Sequence, residues 1–445
     1  MEIVERESEQ IEGRECTKID IDYLYLPLAN SVKRELDTLH PLSAGCTIHR
    51  VPESLRQLDE KAFKPRIVSI GPIHHGRQEL KAMEKYKRRY LADFLQRTEV
   101  SLVEFIKVIK EKEEMVRNCY AESIELNSDD FVKMILMDGI FIIEVLLRNI
   151  MEEIPISDRV FSHPYIIHDI NDDMYLLENQ LPFFILEDLF TRANIDISSD
   201  KDDNKLSIHE MTHEFTRFHW GFLGIENHFE KSNYLRVKHL VHFLRISMKP
   251  YSGIESEKRP KILTTPSVTQ LNKAGVKFKL GSTSNLFALK FKNGILEIPQ
   301  LNICSPMEYI LKNLLAFEQC QCNDNLLSDY VILMNYLVNT PKDVELLVRH
   351  EIVENPLGDN SRVSTLFHKL VEQTTFDAYY FHFSSLAEDL NKYCKAPWHK
   401  WKAILKQDYF KTPWTTVSVI AAIVLLVLTL IQTFCDVINL MQASS

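Results

Sequence analysis

The sequence predicts a mainly α-helical globular domain that carries a small antiparallel β patch near residues 276–299 and is followed by one C-terminal transmembrane helix. Three patterns support this fold class: apolar residues at three- and four-residue spacing, one short region of alternating residues, and a charge-free run near the C-terminus. A hydrophobic content of 45% over 445 residues is enough to build a substantial core.

We divide the chain into four parts: a partly disordered N-terminal extension (1–44), a helix-rich domain (45–405), the transmembrane helix (414–434) and a short tail (435–445). The acidic N-terminus lacks the apolar segment of a signal peptide. Eight scattered cysteines are typical of a protein that keeps its thiols reduced. A net charge of −10 argues against nucleic acid as a partner.

Two amphipathic helices are expected after Gly76. The core-facing residues of the first are Leu80, Met83, Tyr86, Tyr90 and Phe94, and those of the second are Leu102, Phe105, Ile106 and Ile109. A third apolar segment, 134–147, contains Asp138 and Glu144 and is interpreted as a buried helix. Further helical patterns follow near 306–315, 330–337, 343–349 and 363–374.

The β patch is predicted from alternation and from one turn signal. Segments 286–291 and 295–298 flank Asn293-Gly294, the dipeptide that most favours a two-residue hairpin turn. A further strand is expected at 276–280, so we predict an antiparallel patch that ends at Pro299.

The transmembrane prediction depends on residues 412–435, which carry no charge. As an α-helix, 414–434 would be about 31 Å long, close to the ~30 Å hydrocarbon core of a bilayer. A buried core helix is the competing interpretation. Tryptophans and lysines precede the segment, and the positive-inside rule then places the large domain in the cytosol. We therefore expect a C-terminally anchored, single-pass protein in the plasma membrane or an endomembrane, with the bilayer bound through 414–434.

One motif suggests metal chemistry. His209-Glu210-Met-Thr-His213 matches H-E-x-x-H, which offers zinc two imidazoles and a glutamate that activates water, and His219 could supply a third ligand. Yet the apolar stripe of this helix predicts that His209 and His213 point toward solvent. We interpret the match as fortuitous and predict no catalytic, cofactor-binding or metal residues. The phosphate-loop, dinucleotide and nucleophile-elbow motifs are also missing from the sequence.

Two other polar groups are interpreted as structural. His74 and His75 lie in a turn punctuated by glycine and proline, where hydrogen-bonded turn residues are expected. Glu178, Asn179 and Gln180 interrupt an apolar run. Buried there, these three side chains require partners, so we predict a polar network at a helix junction.

These segments also carry a resemblance. Eight blocks occur in order: 46–52, 63–76, 83–84, 138–144, 176–184, 274–278, 298–301 and 316–319. Together with 409–414 they resemble the plant family known as domain of unknown function 247, or UPF0481, over about 46–430. Phe63 and Ile73 depart from the tyrosines expected there, and His209–His213 falls outside the shared blocks.

The resemblance implies a plant single-pass membrane protein without established enzymatic activity or known catalytic residues. Some grass members of the family are encoded at self-incompatibility loci and are regarded as pollen-side recognition determinants. We therefore hypothesise a non-enzymatic, membrane-anchored recognition or adaptor protein that contacts an unidentified protein and needs no cofactor. The alternatives are a membrane-anchored zinc hydrolase using His209, Glu210 and His213, and a membrane scaffold without recognition specificity.

Overall fold

The computed structural model describes twelve stretches of the chain: 16–37, 46–151, 158–195, 198–199, 202–226, 230–249, 264–304, 306–322, 324–356, 358–374, 380–396 and 413–443. The chain forms two compact units, Met1–Cys46 and Thr47–Ser445. The first contains helix α1 (Cys16–Asp37), which occupies the middle of the predicted N-terminal extension. Residues 1–15 and 38–45, where disorder was predicted, lie outside the described residues.

The described part of the second unit is mainly helical, as the sequence predicts. Its helices in the first half are α2 (Glu53–Arg56), α3 (Lys81–Arg97), α4 (Leu102–Glu111), α5 (Glu113–Arg117), α6 (Ser128–Ile150), α7 (Pro164–Met174), α8 (Phe183–Ala193), α9 (Ile208–Phe215) and α10 (Arg217–Leu223). Those in the second half are α11 (Leu240–Ser247), α12 (Val268–Lys273), α13 (Met307–Gln321), α14 (Leu326–Leu337), α15 (Pro341–Arg349), α16 (Asn360–Val371), α17 (Ser384–Lys395) and α18 (Pro413–Ala443).

Helix α6 lies at the centre of the core. It begins at an Asn127 cap, whose side chain accepts the Asp130 N–H at 2.9 Å, and it is buried continuously from Met134 to Arg148. Helices α3, α4, α8 and α9 pack around it. The prediction of a buried helix is confirmed. Its two internal carboxylates are tolerated because Asp138 pairs with Lys87 at 2.6 Å and Glu144 pairs with Arg97 at 3.1 Å.

The two helices after Gly76 are confirmed as α3 and α4, with one adjustment. Helix α3 buries Met83, Tyr90 and Phe94 as expected, and α4 buries Phe105 and Ile109. Helix α4 leaves Leu102 and Ile106 about 40% exposed. The core-facing stripe of α4 is therefore narrower than the sequence pattern suggests.

The β patch is a mixed three-stranded sheet. Strands β3 (Lys277–Leu280), β4 (Lys290–Lys292) and β5 (Ile295–Ile298) take the order β3-β5-β4. The predicted hairpin is confirmed, since β4 pairs antiparallel with β5 across Asn293 and Gly294, both at positive φ. The wholly antiparallel arrangement was wrong. Residues 281–289 carry the chain to the far edge, so β3 pairs with β5 in parallel.

Two small sheets complete the strands of the described chain. Strands β1 (Ser198–Ser199) and β2 (Asp202–Lys205) pair antiparallel. Strands β6 (Leu301–Asn302) and β7 (Val353–Glu354) pair in parallel and connect distant parts of the sequence. Strand β6 lies close to α10, where it helps to form a cavity discussed below.

The membrane prediction is corrected. Residues 413–443 do form helix α18, with side chains described at 417–418, 420–436 and 438. A bilayer span requires about 20 consecutive apolar residues in one helix. Within the described residues, no helix meets that requirement of length and apolar character. The transmembrane helix at 414–434 and the single-pass anchored localisation are therefore wrong. Residues 397–412, which hold most of the lysine and tryptophan flank, lie outside the described residues.

Candidate functional site

The candidate site begins with an extended segment, 66–71, whose main-chain N–H groups bond to side chains. Asp173, at the end of α7, accepts the N–H groups of Arg66, Ile67 and Val68 at 2.8, 2.8 and 2.9 Å. Burial raises the pKa of Asp173 to about 6, although these three donors act in the opposite direction. One carboxylate thus accepts three main-chain N–H groups that would otherwise need acceptors on a neighbouring strand.

Two more buried side chains continue this arrangement. Asn179 accepts the Ile70 N–H at 2.7 Å and donates to the Val68 and Asp173 carbonyls at 3.1 and 2.9 Å. Asp138 of α6 accepts the Gly71 N–H at 2.8 Å. The segment is therefore attached to α6, α7 and the α7–α8 junction through fully buried groups.

Glu178 fixes the next part of the chain. Its Oε1 accepts the Val51 N–H at 2.9 Å, and its Oε2 lies 3.3 Å from His74 Nε2. Burial lowers the pKa of His74. Although burial opposes ionisation of the glutamate, the His74 and Val51 donors hold the pKa of Glu178 below its usual value. Burial disfavours the charged imidazole, while the nearby ring and the Val51 N–H stabilise the charged carboxylate, which accounts for both directions.

We name Asp138, Asp173, Glu178 and Asn179 the clamp. Together with Gln180, which donates to the Met174 and Leu176 carbonyls at 2.7 and 2.8 Å, they form the polar network that the sequence predicts at this helix junction. His74 lies in the predicted turn, where its main-chain carbonyl accepts the Arg77 N–H at 3.5 Å and its ring contacts Glu178. His75 is exposed.

Gly71 shows how closely the clamp packs. It adopts φ +73°, and a Cβ atom at this position would lie 2.6 Å from the Gln180 carbonyl oxygen. Tyr120 donates to the same carbonyl at 3.0 Å. Because only glycine fits there, the turn that follows has one fixed position.

A groove of about 280 Å³ lies beside this turn. Pro72, Ile73 and His75 line one side, Ile48 and Arg50 line the middle, and Tyr120–Leu126 lines the other side. Residues 48 and 120 are joined by an isolated parallel bridge. The groove lining therefore contains both apolar and charged side chains. Isoleucine, leucine and tyrosine lie among the charged residues, and Arg50 pairs with Glu122 at 2.6 Å.

The wall formed by 122–126 is rich in hydrogen-bond donors. Arg117 donates to the carbonyls of Ile124 and Leu126 at 3.1 and 2.9 Å, so these acceptors are occupied. The N–H groups of residues 122–126 bond to no atom in the part of the chain that the structure describes. Arg117 is itself held over the Phe131 ring at 4.0 Å. This wall is an extended, fixed segment with available donors.

The histidine motif is placed differently from its prediction. His209 and His213 are each 6% exposed, so the predicted solvent-facing pair was wrong. Helix α9 contacts α6, α8 and the 231–234 turn, which covers both of its sides. His209 packs on Phe183, with ring centroids 5.0 Å apart, and His213 packs on Tyr234 at 6.3 Å.

The glutamate of this motif has a structural role. The Glu210 carboxylate accepts the N–H and the hydroxyl of Ser207, each at 2.7 Å, and completes a capping box at the start of α9. His219 lies on the next helix, α10, in edge contact with Tyr175 at 4.8 Å. Within the described residues, no three His, Cys, Asp or Glu side chains are grouped so that they could hold a metal.

The sequence reasoning missed the groove. Its walls come from 48–50, 72–75 and 120–126, which no local pattern brings together. The only available signal was the short alternation Glu122-Ser-Ile-Glu-Leu126 directly before the Asn127 helix cap, which indicates an extended segment.

Fold and site together define a mainly helical protein in which the polar sequence blocks build an internal clamp beside a surface groove. The chain belongs to the family DUF247, described as "Plant protein of unknown function", whose profile matches residues 48–428. The resemblance seen in the sequence is thereby confirmed.

Two relatives from Arabidopsis thaliana show the same family. The chain is 29% identical to UPF0481 protein At3g47200 over an alignment of 433 positions, which covers 89% of this chain and 88% of the relative. It is 22% identical to Putative UPF0481 protein At3g02645 over an alignment of 500 positions, which covers 91% of this chain and 92% of that relative. No solved structure matches the chain.

Proposed function

We propose that this protein is a non-enzymatic recognition or adaptor protein that binds an extended segment of a partner protein in the groove. The observation that carries the proposal is the donor-rich wall at 122–126, which Arg117 fixes in place and which lines one groove together with the clamped turn at 72–75. The groove is preformed, so little ordering free energy opposes binding.

The wall determines the chemistry of the partner. Its carbonyls at Ile124 and Leu126 accept from Arg117, while its N–H groups bond to no described atom, so a partner that supplies acceptors complements the wall. The carbonyls of an extended peptide provide such acceptors in a row, as in strand addition at a sheet edge. Ile73, Tyr120 and Leu126 offer apolar contacts, and a volume of about 280 Å³ accommodates one large apolar side chain of the peptide.

A non-enzymatic role is supported by how the polar groups are used. Each clamp side chain is occupied by main-chain donors or a buried partner, and Glu210 caps its own helix. Burial raises the pKa values of the Cys304 and Cys322 thiols to about 11, which keeps both protonated near neutral pH. The zinc hydrolase alternative gains no support from this arrangement.

A peptide selection tests the proposal. The purified full-length chain would be used to select peptides from a random display library, and the binding of synthetic copies would be measured by fluorescence anisotropy. Leu126→Asp places a charge in the apolar part of the groove and should weaken binding at least tenfold. The matched control is Leu235→Asp, because Leu235 is 71% exposed and lies outside the groove lining.

The possible outcomes separate the alternatives. Saturable binding of apolar-anchored peptides that is lost in Leu126→Asp and kept in Leu235→Asp supports recognition in the groove. Equal loss in both variants, or selection of no saturable binder, contradicts it. The latter result would favour a scaffold without recognition specificity.

A further inference from the structure

A second cavity, of about 270 Å³, lies where α7, α10 and β6 meet, and it shares no lining residue with the groove. Helix α7 contributes Asn171 and Asp172, α10 contributes His219 and Phe222, and β6 contributes Asn302. We name this space the polar cavity. The Asn302 amide donates to the Gly221 carbonyl at 3.1 Å and thereby joins β6 to α10.

The lining contains buried polar atoms that are not used by the fold. Asn171 is 2% exposed, and neither its amide nitrogen nor its amide oxygen has a hydrogen-bond partner in the described chain. The same holds there for Asn302 Oδ1 and for both ring nitrogens of His219, which is also 2% exposed. Each buried group without a partner costs about 1–3 kcal/mol, so three around one cavity require an explanation.

The cavity offers donors and acceptors without a free charge. Among the described residues no lysine or arginine lines it, so an anion would find no counterion from them. Its one carboxylate, Asp172, is already paired with Arg66 at 3.0 Å. Burial lowers the pKa of His219 to about 3, which keeps the imidazole neutral and able to donate and accept. A neutral ligand is favoured.

The rest of the lining favours a ligand with one apolar face. Phe218 and Phe222 border the space, and His168 meets Phe218 edge-on at 5.9 Å. Hydroxyl groups both donate and accept, which matches the Asn171 amide and the His219 ring, while C–H groups pack well on aromatic rings. We propose that the polar cavity binds a neutral polyhydroxylated ring of about the size of a monosaccharide.

The site is suited to binding without covalent chemistry. Cys304 lines the cavity, but burial raises the pKa of its thiol to about 11, so little thiolate is present near neutral pH. A His219 imidazole that stays neutral to low pH is a weak base. We therefore expect the polar cavity to bind a small molecule without altering it, separately from peptide binding in the groove.

Saturation-transfer NMR and calorimetry on the full-length chain test this proposal. The probes are glucose, galactose, mannose and inositol as neutral rings, with glucuronate and glucosamine as charged analogues. We expect saturable millimolar or tighter binding of at least one neutral ring, and charged analogues at least tenfold weaker. Asn171→Leu should weaken binding at least tenfold. It should leave the melting temperature unchanged or raised, because the lost amide had no partner.

The control is Asn118→Leu, an exposed position outside the cavity, which should bind normally. Asn171→Ala repeats the test without adding volume. Three results would overturn the proposal: no neutral ring binds, so that the cavity holds water only; a charged analogue binds more tightly than its neutral parent; or both Asn171 variants unfold or melt several degrees lower.

Discussion

Asn171 and Asp173 lie two residues apart on α7, and both are almost completely buried. Asp173 accepts three main-chain N–H groups of segment 66–68, whereas Asn171 lines the polar cavity and its buried amide has no partner in the described chain. Helix α7 therefore stabilises the fold through Asp173 and lines the proposed binding site through Asn171. Burial alone does not show what a polar side chain does, and these two residues differ in their hydrogen-bond partners.

Two buried histidines differ in what surrounds them and not in hydrogen bonds, since no ring nitrogen of either has a hydrogen-bond partner in the described chain. His74 Nε2 lies 3.3 Å from Glu178 in the clamp, and this contact positions the turn beside the groove. His219 is surrounded by aromatic rings, with Tyr175 at 4.8 Å and Phe222 at 5.4 Å. The Asp138, Asp173 and Asn179 side chains of the clamp bond to the main chain. The Asn171 amide and the His219 ring of the polar cavity have no hydrogen-bond partner in the described chain.

The largest expected effect comes from the clamp. Asp138→Ala removes the carboxylate that pairs with buried Lys87 at 2.6 Å and accepts the Gly71 N–H. Removing one partner of a buried ion pair costs about 3–5 kcal/mol. Because Lys87 keeps the Glu84 carboxylate at 2.6 Å, we expect the lower end of this range. Chemical denaturation of the full-length chain should show this loss in the free energy of unfolding.

The matched control lies on the same helix. The Asp129 side chain is 97% exposed and contacts Lys110 at 3.4 Å. Asp129→Ala should change the free energy of unfolding by less than about 0.5 kcal/mol. Similar values for the two alanine variants would show that the clamp does not hold the fold.

One substitution made in both regions gives the next largest effect. Asn179→Leu removes three hydrogen bonds and leaves the Ile70 N–H without an acceptor, so we expect a loss of about 2–4 kcal/mol. Asn171→Leu should lower the free energy of unfolding by less than about 0.5 kcal/mol or raise it, because the removed amide had no partner. Urea midpoints measured side by side check the difference. A loss in Asn171→Leu as large as that in Asn179→Leu would remove the distinction between the regions.

The polar network at the helix junction could be predicted from sequence because its signal is local, whereas its contacts with segment 66–71 could not. Polar residues inside an apolar run, such as Glu178 and Asn179, must find partners, and the Asn293-Gly294 hairpin follows from the backbone preferences of two residues. Helices α3 and α6 also follow from nearby periodicity. In each of these cases the signal lies within one short segment and does not depend on which distant segment packs against it.

Other features depend on distant contacts and could not be predicted. The polar cavity joins Asn171, His219 and Asn302, which come from three elements, and His219 had been considered only as a zinc ligand. His209 and His213 were expected at the surface because one apolar stripe was assumed to be the only packed side of α9, yet neighbours cover both sides. The parallel pairing of β3 likewise depends on a strand order that local alternation does not specify.

The smallest expected effect is a pH dependence of the free energy of unfolding, which comes from His219 in the polar cavity. The pKa of His219 is about 3 in the folded protein, against an ordinary value of 6.5. Between these values the unfolded chain binds the proton, so stability is lost as pH falls below about 6.5 and is unaffected above it. The contribution is about 1.4 kcal/mol per pH unit. His219→Phe should remove it, while exposed His163→Phe should not.

Urea denaturation at pH 7, 6 and 5 measures this dependence, and the other titrating groups of the cavity, His168 and Asp172, are the same in both chains. The stability of the wild type relative to His219→Phe should decline steadily with acidification. A constant difference would mean that His219 titrates as in the unfolded chain. The imidazole would then carry a charge in mild acid, and the cavity would favour an anion over the neutral ring proposed here.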